Sequence, residues 1–163
     1  MGIKTIPDEF IDAVWSRMAQ NPQHTFLILT KRPRRMLEFV TNIAVFNYGI
    51  LPNVWLGCTI CNQQEWDKHK DIFLSVPGKK FISHEPALDR IDYGEGLKEI
   101  SVLISGAETG AGARVTYPDT FRADRAQCEF YGVKFFLKYS NKRDGRMLDG
   151  VTHDDLPWLE KII

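Results

Sequence analysis

The sequence has few cysteines, no excess of charge of either sign and no long apolar run. Its 163 residues include three cysteines, too few and odd in number for the disulfide framework of a small secreted domain. Lys and Arg together number 21, as do Asp and Glu, so the net charge does not indicate nucleic-acid binding. The apolar run at residues 26–29 is far shorter than the ~20 residues that span a bilayer. These absences predict a cytoplasmic protein that neither crosses a membrane nor depends on disulfides.

What is present is enough for one folded domain. Hydrophobic residues make up 44% of the chain and charged residues 26%, proportions typical of a globular protein. We predict an α/β domain over residues 1–140 and a C-terminal tail over residues 141–163 that packs on the same domain. Two turn signals, Asp144-Gly145 and Asp149-Gly150, indicate a hairpin or a loop in the tail. The apolar residues of the tail are Leu156, Trp158, Leu159, Ile162 and Ile163.

Apolar runs alternate with segments of helical periodicity along the chain. The runs predict strands at residues 25–30, 53–60, 79–84, 100–105 and 133–138, and the first is apolar enough to be buried on both faces. Helices are predicted from Pro7 to about Ala19, around residues 36–40, over about residues 63–74 and from Pro118 onward, with Gly132 as the residue that follows the last helix. Strands that alternate with helices are joined by right-handed crossovers and form a mostly parallel sheet. We therefore predict about five parallel strands with flanking helices.

Polar residues follow every predicted strand, and in a parallel sheet all strand ends lie at one edge. This edge is where α/β proteins bind their ligands. The alternative is that strands become polar simply because they leave the core, and that Lys31 and Glu85 pair with neighbouring side chains. The sequence assigns no catalytic residue. Its ligand-binding candidates are Lys31, Arg32, Asn62, Glu85, Gly106, Glu108, Thr109 and Lys138.

Two further motifs give weaker signals. Glycines in the segment 106–112 allow a ligand to approach the backbone, but the segment matches neither the dinucleotide fingerprint nor the Walker A loop. Cys58 and Cys61 form a C-x-x-C motif at a strand end, where residues three apart face opposite sides. There is no second cysteine pair, and the four histidines are scattered singly, so we predict no metal site.

Several blocks of the sequence resemble one known family. The blocks are in order and cover nearly the whole chain. They lie at residues 7–10, 22–26, 29–33, 51–57, 62–64, 81–86, 106–110, 112–114, 132–133, 135–138, 145–146 and 148–150. The family is the phage protein Gp-thirty-seven/Gp-sixty-eight family, which phages, prophages and bacteria encode. The resemblance implies a partial TIM-like barrel of the radical-SAM type, with a [4Fe-4S] cluster and S-adenosylmethionine in full-length members. It also makes Glu85 and the Glu108 loop the expected places for S-adenosylmethionine or a substrate.

The resemblance also implies that the cluster is held by a three-cysteine motif in an N-terminal segment, followed by the first barrel strands. The present sequence begins after that segment. Three thiolates must hold such a cluster, and Cys58 and Cys61 cannot replace them. We therefore expect no cofactor in this chain.

Two functions are compatible with these observations. The observations leave open whether the chain is an enzyme. The first is a shortened phage or prophage protein in the host cytoplasm that binds a host or phage protein without catalysis, for instance to antagonise a host defence system. The alternative is the C-terminal portion of a radical-SAM-like enzyme that binds S-adenosylmethionine or substrate at the strand ends. The first is expected if Met1 is the natural start. A barrel without its first strands exposes strand edges, which predicts a homodimer or a protein partner.

Overall fold

A computed structural model describes residues 6–141 and 144–158. The main sheet is parallel, its strands are neighbours in chain order, and the predicted α/β fold with five parallel strands is confirmed. The strands are β1 (Phe26–Thr30), β2 (Val54–Thr59), β3 (Lys79–His84), β4 (Val102–Gly106) and β5 (Lys134–Tyr139).

Helical segments precede β1 and connect the strands. The helices are α1 (Asp8–Ala19), α2 (Pro33–Phe39), α3 (Val45–Tyr48), α4 (Gln63–Leu74) and α5 (Pro118–Tyr131). A π-helical turn at Val40–Ala44 joins α2 to α3, and a 3-10 helix at Gly94–Glu99 precedes β4. The predicted ends of α5 are confirmed: Pro118 is its first residue, and Gly132 takes a left-handed conformation with φ 70° at its C-terminus.

One side of the sheet, the helix face, forms the main core. Side chains alternate along each strand, so Leu56, Ile82 and Leu103 all point to this face. Aromatic side chains from the helices cover them, among which Trp66 and Phe121 are 1% exposed. Burial of such large apolar side chains contributes roughly 1.5–3 kcal/mol each, which makes this layer the main source of stability.

The described residues cover the opposite side of the sheet, the open face, only in part. Trp55 of β2, Phe81 of β3 and Val102 of β4 form a second, smaller core. Trp158 of the tail packs on it, with ring centroids 5.1 Å from Trp55 and 6.1 Å from Phe81. Leu156 of the tail packs against the same group.

The expectation that the first strand is buried on both faces is wrong. Leu27 and Leu29 of β1 are 43% and 50% exposed on the open face. The reason is position: β1 is the terminal strand of the sheet, and Trp158 packs on β2 and β3 rather than on β1. An apolar run in the sequence reports the hydrophobicity of a strand but not its place in the sheet.

The tail contains a short antiparallel hairpin, β6 (Met147–Leu148) and β7 (Val151–Thr152). The turn signal Asp149-Gly150 joins the two strands, and both residues have positive φ, 54° and 77°, as a two-residue hairpin turn of type I′ requires. Leu148 is buried and anchors the hairpin in the main core. The apolar residues Leu159, Ile162 and Ile163 lie outside the described residues.

Candidate functional site

The last residues of the five parallel strands and the residues that follow them form one edge of the sheet, here called the carboxyl edge. Its central feature is an ion pair between Glu85, which follows β3, and Lys138 of β5. Lys138 Nζ lies 2.8 Å from Glu85 Oε2, and the two side chains are 63% and 22% exposed. Ser83 Oγ donates to Glu85 Oε1 at 3.3 Å. Two of the predicted candidates are therefore in direct contact.

Gly106 makes this contact possible. Glu85 directly follows β3 and Lys138 lies in β5, and β4 with Gly106 at its end lies between these two strands. A Cβ atom at residue 106 would lie 3.3 Å from both Cγ and Oε2 of Glu85, which is tighter than ordinary van der Waals contact. Because glycine has no side chain, the Glu85 carboxylate can lie over the end of β4 and reach Lys138.

An irregularity in β5 helps to place Lys138. Ser105 is paired with Leu137, but the next residue of β4, Gly106, is paired with Tyr139. Lys138 is thus an extra residue in β5, a β-bulge that locally changes the direction of the strand and of its side chains. Bulges of this kind are frequent next to functional sites.

Glu108 and Thr109 lie in the loop after β4, which an ion pair closes. The carboxylate of Glu108 accepts hydrogen bonds from Arg114: from its backbone N–H and from Nε at 2.8 Å each, and from Nη2 at 2.7 Å. These bonds lower the pKa of Glu108 to about 2. Thr109 is exposed. Glu108 therefore stabilises the loop, and a ligand would have to compete with Arg114 for its carboxylate.

Lys31 and Arg32 follow β1 and begin the next connection. The backbone N–H of Arg32 donates to Thr30 Oγ1 at 3.0 Å, and Arg32 directly precedes α2. Lys31 is exposed, and its ammonium group is close enough to Cys61 to act on the pKa of that thiol. Arg114, in the loop after β4, also acts to lower the pKa of this thiol. Cations after β1 and after β4 therefore both act electrostatically on Cys61.

Asn62 has a clear structural role as the N-cap of α4. Its side-chain oxygen accepts a hydrogen bond from the backbone N–H of Glu65 at 2.9 Å. Glu65 in turn accepts from the backbone N–H of Cys61 at 2.8 Å, a reciprocal arrangement close to a capping box. The Asn62 side chain is therefore already engaged in helix capping.

The cysteines are free thiols in unreactive surroundings. Burial raises the pKa of Cys58 to about 12 and also raises the pKa values of Cys61 and Cys128. Cys61 Sγ donates to the backbone oxygen of Glu85 at 3.7 Å. Within residues 6–141 and 144–158, no three His, Cys, Asp or Glu side chains are grouped in a way that could hold a metal ion. No helix in those ranges has the length and apolarity to cross a membrane.

A buried polar cluster that was not predicted from the sequence lies under the carboxyl edge. Asp124 of α5 accepts hydrogen bonds at Oδ2 from His84 Nδ1 and from Ser105 Oγ, each at 2.7 Å. All three residues have an exposure of 0%. One signal was available: Asp124 lies three residues after Phe121 and four before Cys128, on the apolar stripe of α5, where a carboxylate is unusual.

The fold and this edge define an α/β protein whose parallel strands present charged side chains at their C-terminal ends. A family model described as "Protein of unknown function (DUF5131)" matches residues 3–157. The chain therefore belongs to this family. No curated protein and no solved structure matches it significantly.

Proposed function

We propose that the carboxyl edge binds a small ligand of the S-adenosylmethionine class through the ligand's zwitterionic α-amino acid group. The observation that carries this proposal is the ion pair between Glu85 and Lys138 over Gly106. An α-amino acid group has an ammonium and a carboxylate side by side. The ammonium binds Glu85 and the carboxylate binds Lys138, so each protein charge exchanges one counter-charge for another and none is left unpaired.

The surroundings of the ion pair support such a ligand. Lys138 is 63% exposed, so a ligand carboxylate can reach it from solvent. The thiol of Cys61, held at the backbone of Glu85, lies within electrostatic reach of Lys31 and Arg114. The positive charge of Lys31 favours the approach of the carboxylate of an α-amino acid group.

We further propose that the chain is a radical-SAM-like protein and that its fold is a partial TIM-like barrel. Its support is that the five parallel strands are neighbours in chain order, as consecutive barrel strands are, and that the charged residues lie at their C-terminal ends. The three cysteines of this chain do not fit an iron–sulfur cluster, because Cys58 and Cys128 are buried in the main core with raised pKa values. The function proposed for this chain is therefore binding alone.

Isothermal titration calorimetry with the whole chain tests the proposal. We expect binding of S-adenosylmethionine and weaker binding of methionine, which keeps the zwitterion. Methylthioadenosine, which lacks the zwitterion, should not bind. Glu85→Gln and Lys138→Met should each weaken S-adenosylmethionine binding at least about tenfold, since each removes a charge-assisted contact.

Lys134→Met is the matched control. Lys134 is also a lysine of β5, four residues earlier, and it forms an ion pair with Asp155 at 2.8 Å, away from Glu85. Its replacement should leave the affinity unchanged. Absence of S-adenosylmethionine binding, or equal losses in Lys134→Met and Lys138→Met, would contradict the proposal.

A second candidate function is protein binding at β1, and the exposure of Leu27 and Leu29 favours it. Within the described ranges, β1 pairs with β2 alone, so one side of its backbone is available for pairing with another chain. Two leucines on one face of an edge strand add apolar area that association would remove from water. The partner we propose is a second copy of this chain.

Light scattering after size exclusion, at micromolar concentration, tests this second function. The expected mass is twice the monomer mass of 18.8 kDa. Leu29→Lys should give the monomer, whereas Phe46→Lys, at an 88% exposed position of α3, should leave the dimer intact. A monomeric wild-type chain would rule out the homodimer.

A further inference from the structure

The buried cluster of His84, Ser105 and Asp124 ties two strand ends together. His84 of β3 and Ser105 of β4 are direct partners in the sheet register. Both donate to the same oxygen of Asp124, at 2.7 Å, from the helix face. The carboxylate of one α5 residue therefore holds the ends of two neighbouring strands at a fixed separation.

The residue after His84 and the residue after Ser105 both belong to the proposed site. Side chains alternate between the two faces of a strand. His84 and Ser105 point to the helix face, and the next residues, Glu85 and Gly106, lie on the side of the ion pair. Any shift of one strand end against the other would change the contact between Glu85 and Gly106, where a Cβ would already be only 3.3 Å from the carboxylate.

Several polar atoms of this region lack hydrogen-bond partners, so it is poorly suited to a purely stabilising role. Asp124 Oδ1, His84 Nε2 and the hydroxyl of Tyr93 are buried and have no hydrogen-bond partner in the described part of the chain. Burial raises the pKa of Tyr93, and the nearby Asp124 raises it further. Buried polar groups of this kind cost free energy, and well-packed apolar side chains in their place are often at least as stable.

We infer that Asp124 is a positioning residue that aligns Glu85 with Gly106 and Lys138 from beneath the sheet. This inference rests on the proposed binding function of that site. Asp124 does not touch the ligand. It acts through His84 and Ser105, whose hydrogen bonds fix the two strand ends on which the ion pair depends.

Binding measurements on variants of Asp124 provide the first test. Asp124→Leu replaces the carboxylate by an apolar side chain of similar size and should weaken S-adenosylmethionine binding at least about tenfold. Asp124→Asn keeps an oxygen that accepts both hydrogen bonds, so its affinity should stay within about threefold of wild type. The control is Thr120→Val, which alters another buried polar residue one turn earlier on α5 and should leave the affinity unchanged.

Amide hydrogen exchange provides a second test that needs no ligand. The backbone N–H of Ala87 donates to the oxygen of Gly106 at 2.9 Å, so its exchange reports the alignment of the two strand ends. In Asp124→Leu this amide should exchange at least about tenfold faster, while amides in the middle of β3 keep their protection. Ser105→Ala, which removes one of the two hydrogen bonds, should give a smaller acceleration at the same amide and serves if Asp124→Leu does not fold.

The two tests separate the inference from the function on which it rests. If wild-type protein does not bind S-adenosylmethionine, the proposed function fails, and the exchange of Ala87 still decides the role of Asp124. Unchanged exchange at Ala87 in the folded variants overturns the inference. Equal acceleration at Ala87 and in the middle of β3 also overturns it, because Asp124 would then stabilise the whole sheet rather than align its edge.

Discussion

The ring of Phe81 occupies the space above Gly57, its neighbour on the adjacent strand. The two residues are register partners in β2 and β3, and a Cβ at residue 57 would lie 2.2 Å from Cζ of Phe81. Trp158 packs against the same ring on the open face. The absence of a side chain at residue 57 therefore determines how the second core packs.

The substitution Gly57→Ala should destabilise the protein because the methyl group cannot fit beneath the Phe81 ring. Overpacking of this kind costs about 1–3 kcal/mol of unfolding free energy, measured by urea denaturation. In the double variant Gly57→Ala/Phe81→Leu the added methyl group has more space, so the extra cost of Gly57→Ala should be much smaller than in wild type. Equal costs in both backgrounds would contradict this account.

The substitution Asn62→Ala should lower the unfolding free energy by about 1 kcal/mol, since it removes the N-cap of α4. Asn62→Asp, which keeps an oxygen acceptor at the cap, is the matched control and should stay close to wild type. Urea denaturation measures both. A neutral Asn62→Ala would show that the hydrogen bond to the Glu65 N–H is not important for stability.

The carboxyl group of Glu108 should titrate near pH 2 because Arg114 binds its charged form. The pKa is lowered in the folded state, so this ion pair contributes stability above the ordinary glutamate pKa of ~4.3, and the contribution is lost as the pH falls toward 2. The titration of the Glu108 carboxyl carbon, followed by NMR, measures this directly.

Arg114→Gln should move that titration midpoint toward the ordinary value, and Arg90→Gln serves as its control. Arg90 is an exposed arginine that pairs with Asp119, at 3.0 Å, rather than with Glu108. A midpoint that stays near 2 in Arg114→Gln would show that another group holds the charged carboxylate.

The three cysteines should resist thiol reagents in the folded protein. The pKa of Cys58, raised to about 12 by burial, leaves roughly one thiolate in 10,000 at pH 8. Labelling with a chromogenic disulfide at pH 8 should be slow without denaturant, and all three thiols should react promptly in concentrated guanidinium. Rapid labelling of Cys58 in the native protein would contradict its placement in the core.

Local signals in the sequence were sufficient for most of the secondary structure. The alternation of apolar runs with helical periodicity predicted five parallel strands. Each run has the length of a strand, and each helical connection brings the chain back to the end of the sheet at which the parallel strands begin. The predicted ranges of α4 and β3 agree with the structure, and Gly132 follows the last residue of α5 as predicted. The π-helical turn and the 3-10 helix were missed, because no local residue pattern marks them.

The sequence also determined which residues lie at the carboxyl edge, since every parallel strand ends there, but only the tertiary structure decided which of them meet. Glu85 reaches Lys138 because Gly106 lies between them and a bulge adds one residue to β5, and neither spacing nor composition encodes that bulge. Asn62 and Glu108 bind within their own segments instead. The exposure of Leu27 and the burial of Asp124 were decided in the same way, because burial depends on which elements pack together, and that is a property of the whole fold.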